Sequence, residues 1–233
     1  MRTTVLKLTL LNHLFYYTEV SGGSTSSSIT GDFLGDLALN YALNKALTSN
    51  PSYYRYLKKP EYQEIGEFGF YCTVARPMQK SNRTEAYIQG TSFNTDGIFA
   101  ITPPSLSGSL YQKAAKSPYK TYRQVQGMKI GSSYQALLLS KTKLSLPPVV
   151  RVGRALESLV QIEEVELNAK MKDEFWLNAF SLKVIFDNLD LATKILVREK
   201  KVNFSYILEN YNLIKQLSLK NVQEIFQPIF AHG

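Results

Sequence analysis

Val5-Leu6-Lys7-Leu8-Thr9-Leu10 alternates without a break: Leu6, Leu8 and Leu10 share one side, Lys7 and Thr9 the other. A period of two marks a strand buried on one face. The pattern runs on toward Tyr17, and residues 21–31, rich in Ser, Gly and Thr, read as a loop. Asp32 predicts an N-cap for a helix over 33–47, apolar over so much of its surface that it must be largely buried. Asn50-Pro51 ends it. Strands are expected over 68–74, 86–93 and 134–139, with turns or loops at 94–97 and 103–108. Past Pro147-Pro148 a further segment covers 149–159, and then the chain changes character. Residues 175–180, 189–197, 206–217 and 219–226 have helix-like spacing. Strand, helix, strands, strand, helical tail is an α+β order. It fits a ferredoxin-like (RRM-like) core with a helical C-terminal lobe, and other α+β folds almost as well.

The charge is concentrated. Between Asp96 and Glu157 there is no acidic residue, yet there are nine cations: Lys113, Lys116, Lys120, Arg123, Lys129, Lys141, Lys143, Arg151 and Arg154. The chain carries +8 in all, and the segments before and after this window nearly cancel. A one-sign stretch builds a field that attracts anions. Tyr111, Tyr119, Tyr122 and Tyr134 lie among the cations. Charge for phosphates and rings for unstacked bases is what single-stranded nucleic acid requires. A lysine-rich solvated loop is the plainer alternative.

Other classes are disfavoured. At 233 residues and 44% apolar, the chain suits one large domain or a core with an appended lobe. No apolar run approaches the roughly 20 residues of a membrane span, and residues 1–15 lack the pattern of a secretory signal, so the cytoplasm is the expected compartment. The single Cys72 excludes an internal disulfide and a cysteine-based zinc site. With only His13 and His232, and no nucleophile-elbow or P-loop motif, little points to catalysis or to a cofactor. The carboxylates at Glu163, Glu164 and Glu166, at Asp173 and Glu174, and at Asp187 and Asp190 read as solvated faces, so no metal is expected. Phe68-Gly69-Phe70 weakly matches the base-stacking core of the RRM signature, against which stands an ordinary core strand. Gly127-Met128-Lys129-Ile130-Gly131-Ser132-Ser133 offers glycines and hydroxyls that let backbone amides approach a phosphate, or forms a plain turn.

Several segments together resemble a known family. A first strand ends in Leu14-Phe15-Tyr16-Tyr17-Thr18; a polar loop follows; then comes a helix with Leu39-Asn40-Tyr41-Ala42-Leu43. A strand over 69–77 enters an Ala75-Arg76-Pro77 turn, Gly131-Ser132 precedes a strand, and Pro147-Pro148-Val149-Val150-Arg151-Val152-Gly153-Arg154 closes the series. In order and spacing these resemble the Cas-five-type subunit (Csc-one in the older naming) of type I-D CRISPR effector complexes, over residues 3–160. One departure is Ala155-Leu156-Glu157, where the family continues in a basic, aromatic manner.

The resemblance implies an RRM-like core over 1–160, with a hairpin-like extension inserted as a basic segment at about 97–156, and a lobe over 161–233. It implies a non-catalytic subunit that holds the 5′ handle of the guide RNA and caps a filament of repeating backbone subunits. The large nuclease subunit and target DNA near the protospacer-adjacent motif would lie beside it. Lys113, Lys116, Lys120, Arg123 and Lys129 are then expected on handle phosphates, and Tyr119 and Tyr122 on a splayed base. Gly131 and Ser132 would touch the RNA through the backbone, and Arg151 and Arg154 would anchor it. The rivals are a repeat-cleaving endoribonuclease centred on His13 with Tyr16 or Lys7, and a generic basic RNA-binding module.

Overall fold

The computed structural model describes residues 1–15, 19–20, 27–48, 62–80, 82–91, 121–152, 158–167, 173–186, 199–202 and 213–231. The alternating segment forms β1 (Arg2–Leu10), the middle of the main sheet. Antiparallel neighbours flank it: β8 (Ser133–Ser140) on one side and β10 (Ser158–Val165) on the other. Beyond β8 lie β4 (Phe70–Cys72) and β5 (Arg76–Pro77), each paired with a different end of it. Beyond β10 lies β9 (Val149–Val152), so the order is β4-β8-β1-β10-β9.

The two faces of this sheet are covered differently. Leu6, Leu8 and Leu10 meet α1 (Asp36–Leu47) through Leu39, Ala42 and Leu43, with Ala136, Leu138, Val150, Val160 and Ile162 around them. On the other face Val5, Leu137 and Leu139 lie under the C-terminal part of the chain, with Phe175, Leu177, Leu182, Ile225 and Phe226. There the Tyr71 and Phe226 rings stack at 5.1 Å. An aromatic pair of this kind adds roughly 0.5–1.5 kcal/mol beyond the area it buries.

The helix starts later than its sequence predicts. Gly35 is the N-cap, and Asp32 pairs with Arg83 instead. Asn40 explains the Leu-Asn-Tyr-Ala-Leu pattern. Its amide donates to the Cys72 carbonyl at 2.9 Å and accepts from the Cys72 N–H at 2.8 Å. One buried side chain thus satisfies both polar groups of an edge-strand residue. Tyr41 donates to Glu64 at 2.6 Å and packs edge-on against Phe68.

The described residues of the C-terminal segment are not all helical, and the expected helix over 189–197 lies outside them. Phe175–Asn178 is a strand, β11, because Phe175 and Leu177 alternate into the core. Ile214–Leu217, β13, pairs with it and with β12 (Lys200–Lys201), giving a three-stranded sheet where 206–217 had helix-like spacing. Among the described residues the helices here are α2 (Ala179–Ile185) and α3 (Leu219–Ala231). Asp173 accepts the first N–H of α3 at 2.8 Å, and Ser218 caps it. The boundary at 160 falls within β10, which belongs to the main sheet as far as Val165.

A third sheet, of four strands, combines β2 (Glu19–Val20), β3 (Ser27–Ile29), β6 (Tyr87–Thr91) and β7 (Thr121–Gln126), in the order β2-β3-β7-β6. The first strand does not extend to Tyr17: the chain bends after Leu10, and Leu14 makes only an isolated bridge to Met128. Part of the expected loop over 21–31 is the strand β3. The inserted segment also ends earlier than 156, since β8 and β9 are strands of the main sheet.

Candidate nucleic-acid interface

One end of the main sheet, here its top, gathers the C-terminal ends of β1 and β9 and the N-terminal ends of β8 and β10. Thr9 faces Ser133, Leu10 faces Val160, and Ser158 faces Val152. The turn joining β7 to β8 sits there too. Its six amides, from Gly127 to Ser132, all donate within the protein. Their acceptors are Thr84 Oγ1, Leu14 O, Asn82 O, His13 Nδ1, Leu10 O and Lys129 O in that order.

A phosphate therefore meets none of these N–H groups, which corrects the expectation for Gly131 and Ser132. Gly131 is glycine because its φ is +82°, in the left-handed region. A Cβ on Gly127 would lie 2.5 Å from the Leu14 carbonyl oxygen. Ser132 is buried, and its hydroxyl donates to the Lys129 carbonyl at 2.7 Å. The glycines and serine build a rigid turn, and that turn presents the exposed Lys129.

Arg151 is exposed on β9, opposite Leu159. Burying Val150 and Val152 on one side of the strand turns Arg151 outward on the other. Tyr122 and Arg123 lie on β7, paired with Gly90 and Gln89 of β6. Lys113, Lys116, Tyr119, Lys120 and Arg154 lie outside the described residues. Lys141 and Lys143 go to the opposite end of β8. There Lys143 lines a cavity of about 330 Å³ with Arg2, Thr4, Leu138, Ser140 and Glu164.

Two aromatic candidates pack inside the protein. Tyr134 is 1% exposed, a core residue whose hydroxyl is pushed up by burial. Phe68-Gly69-Phe70 is not a stacking platform, since Phe70 is buried and Phe68 packs on Tyr41 and Phe70. The second face also carries polar rows: the buried Gln135 with half-buried Lys7 and Glu163, then half-buried Ser133, Thr9 and Gln161. Lys7 donates to Glu163 at 2.6 Å.

Sequence reasoning missed what surrounds the turn. His13 is exposed, beside the exposed Leu11 and Ile130. Arg76, which lies on the strand β5 where the sequence suggested a turn, is buried; it donates to the Glu174 carbonyl at 2.6 Å and to Gln135 at 2.7 Å. Burial lowers its pKa, and the neighbouring Glu174 carboxylate opposes the shift. No local sequence signal announces either arrangement, because Ile130 is distant in the chain from His13, and Gln135 and Glu174 from Arg76. Among the described residues no three His, Cys, Asp or Glu side chains gather as metal ligands. Nor is any helix among them long and apolar enough to cross a membrane.

Among curated proteins, none matches this chain. Among solved structures it is similar to a chain in a cryo-EM structure of the type III-B Cmr-beta bound to cognate target RNA and AMPPnP. The identity is 8%, the TM-score 0.37, and the match covers 96% of this chain and 88% of that one. So low a score carries no argument about fold. The model of the family described as type I-D CRISPR-associated protein Cas5/Csc1 matches residues 1–228, nearly the whole length. With that match spanning both the main sheet and the C-terminal strands and helices, the chain belongs to the type I-D Cas5/Csc1 family of CRISPR-associated proteins.

Proposed function

We propose that this protein is the non-catalytic subunit of a cytoplasmic type I-D surveillance complex that binds the 5′ handle of the guide RNA. It caps the filament of backbone subunits, beside the large nuclease subunit and the target DNA near the protospacer-adjacent motif. The observation that carries the reading is the top of the main sheet in a chain of this family. There an acid-free segment delivers the exposed Lys129 and Arg151 to one end of a single sheet. In this reading Lys113, Lys116, Lys120, Arg123 and Arg154 are further contacts to the handle, and Tyr119 and Tyr122 stack a splayed base. Gly131 and Ser132 serve by fixing the turn that holds Lys129.

We read the main sheet as a ferredoxin-like core. Its strands β4, β8, β1 and β10 follow the order of a split β-α-β unit, with α1 as the first crossover helix. Residues 141–148 and β9 stand in place of the second helix.

The test is co-purification with the neighbouring genes and a repeat–spacer array, followed by sequencing of the retained RNA. A uniform guide with a defined 5′ handle, retained only with this subunit, is expected; random cellular RNA would overturn the reading. If about six cations contact single-stranded phosphates, log K falls with log salt at a slope of about −4. Incubation with repeat RNA in EDTA is expected to give no discrete products. Of the groups a nuclease centre would use, Lys7 is bonded to Glu163, and Tyr16 lies outside the described residues.

A further inference from the structure

Five large apolar side chains stand exposed among the described residues, and two of them, Leu11 at 40% and Ile130 at 50%, adjoin His13. Leu11 is two positions from His13, and the Ile130 N–H donates to His13 Nδ1 at 3.1 Å. The segment carrying the ring is fastened on several sides. The Leu11 N–H donates to the Leu159 carbonyl at 2.9 Å, and the Leu159 N–H donates to the Asn12 side chain at 2.7 Å. The Ser158 hydroxyl donates to the His13 carbonyl at 3.0 Å, and the ring stands edge-on to Phe15.

An imidazole that accepts at Nδ1 carries its proton on Nε2. Nε2–H has no partner among the described residues, so it is an oriented donor on an exposed ring, bonded through Nδ1 to the backbone of the exposed Ile130 and two positions along the chain from the exposed Leu11. Unstacked bases are held by this combination: a ring or aliphatic surface against the base face, and a donor for a base nitrogen or carbonyl. Lys129 adjoins Ile130 and supplies charge for the neighbouring phosphate. Because the turn's amides are all engaged, recognition here must come from side chains.

We propose that His13, Leu11 and Ile130 form a nucleobase-binding site that takes one splayed base of the bound RNA. The proposal rests on the handle-binding reading and deepens it, adding a base-reading element to a surface otherwise described by its charge. A protein partner seated on the same apolar pair is the competing occupant. The absence of any acid between Asp96 and Glu157, with Lys129 alongside, favours an anionic one.

The test is a cycle between protein and RNA. Handle RNAs, each with one abasic ribose, are titrated against the wild type, His13→Asn and Ile130→Ser. Asn keeps an acceptor near Nδ1 for the Ile130 N–H but lacks the ring face and the Nε2–H. At one handle position, base removal is expected to weaken wild-type binding by about tenfold. The same removal costs His13→Asn less than about twofold, while the salt slope is unchanged. An abasic penalty of equal size in both proteins at every position overturns the proposal and leaves handle binding standing. A flat salt slope and no handle affinity overturn both. Unchanged abasic penalties with failed assembly onto the other subunits assign the patch to a protein partner instead. If His13→Asn fails to fold in a thermal melt, Ile130→Ser carries the test, since its side chain is half exposed.

Discussion

The two ends of β1 do opposite work. Toward its N-terminal end, Val5 lies under the cluster of Tyr71, Phe175 and Phe226. Just past its C-terminal end, Leu11 and His13 face solvent beside Lys129 and Ile130, which stand on a turn whose six amides are all engaged. The rigid end holds the molecule together, and the exposed end displays chemistry on a fixed frame. A site on such a frame is mutable without loss of fold, and the frame is mutable only at high cost.

That contrast is broken most severely at the packed end. Phe226→Ala removes the ring stacked on Tyr71 and is expected to cost about 3–5 kcal/mol in denaturant unfolding. The folded fraction should keep its RNA affinity. Asn40→Ala leaves the buried Cys72 N–H and carbonyl unpaired and should cost roughly 1–3 kcal/mol by the same measurement.

At the exposed end the order of effects reverses. Replacing Lys129 and Arg151 together by Ala should weaken handle binding roughly tenfold at moderate salt and make the salt slope shallower by about 1.4. The melting temperature should not move, since both side chains are exposed.

Asp36 sharpens the comparison by its pH dependence. Burial raises its carboxyl above the ordinary 3.8, opposed by Ser181 and by Tyr71, which donates to it at 2.6 Å. Above about pH 4 the folded state therefore binds more protons than the unfolded chain, and stability falls as pH rises through that window. Asp36→Asn removes this dependence. Its melting temperature relative to wild type should be least favourable near pH 4 and improve toward neutrality. The smallest effect is expected at the surface pair: Lys7→Ala should cost less than about 1 kcal/mol, because Lys7 and Glu163 are both over a third exposed.

How far these features could be read in advance depended on the range of the interaction. The period-two pattern of β1, the helix that became α1 and the strand β8 were legible, because each follows from which neighbours in sequence are apolar. The cap was misread because Asp32 found Arg83, fifty-one residues away, in place of its own helix. The stretches 175–180 and 206–217 had helix-like spacing, and it is the pairing of 175–178 with 214–217 that made those residues strands. At the site, the acid-free cationic stretch was visible, but its division between the two ends of β8 was not. Gly131 and Ser132 were singled out as phosphate contacts, yet their amides serve Leu10 and Lys129.

The sequence by itself determined the α+β class, the anion-seeking charge and, through ordered motifs, the family. Those properties are sums over local composition and spacing, and they survive any particular arrangement in space. Tertiary structure alone decided which amides were spent, which rings were buried and which cation stood free of the core. It also brought His13 to Ile130 across 117 residues of chain, because hydrogen bonds and burial are set by partners that sequence distance does not reveal.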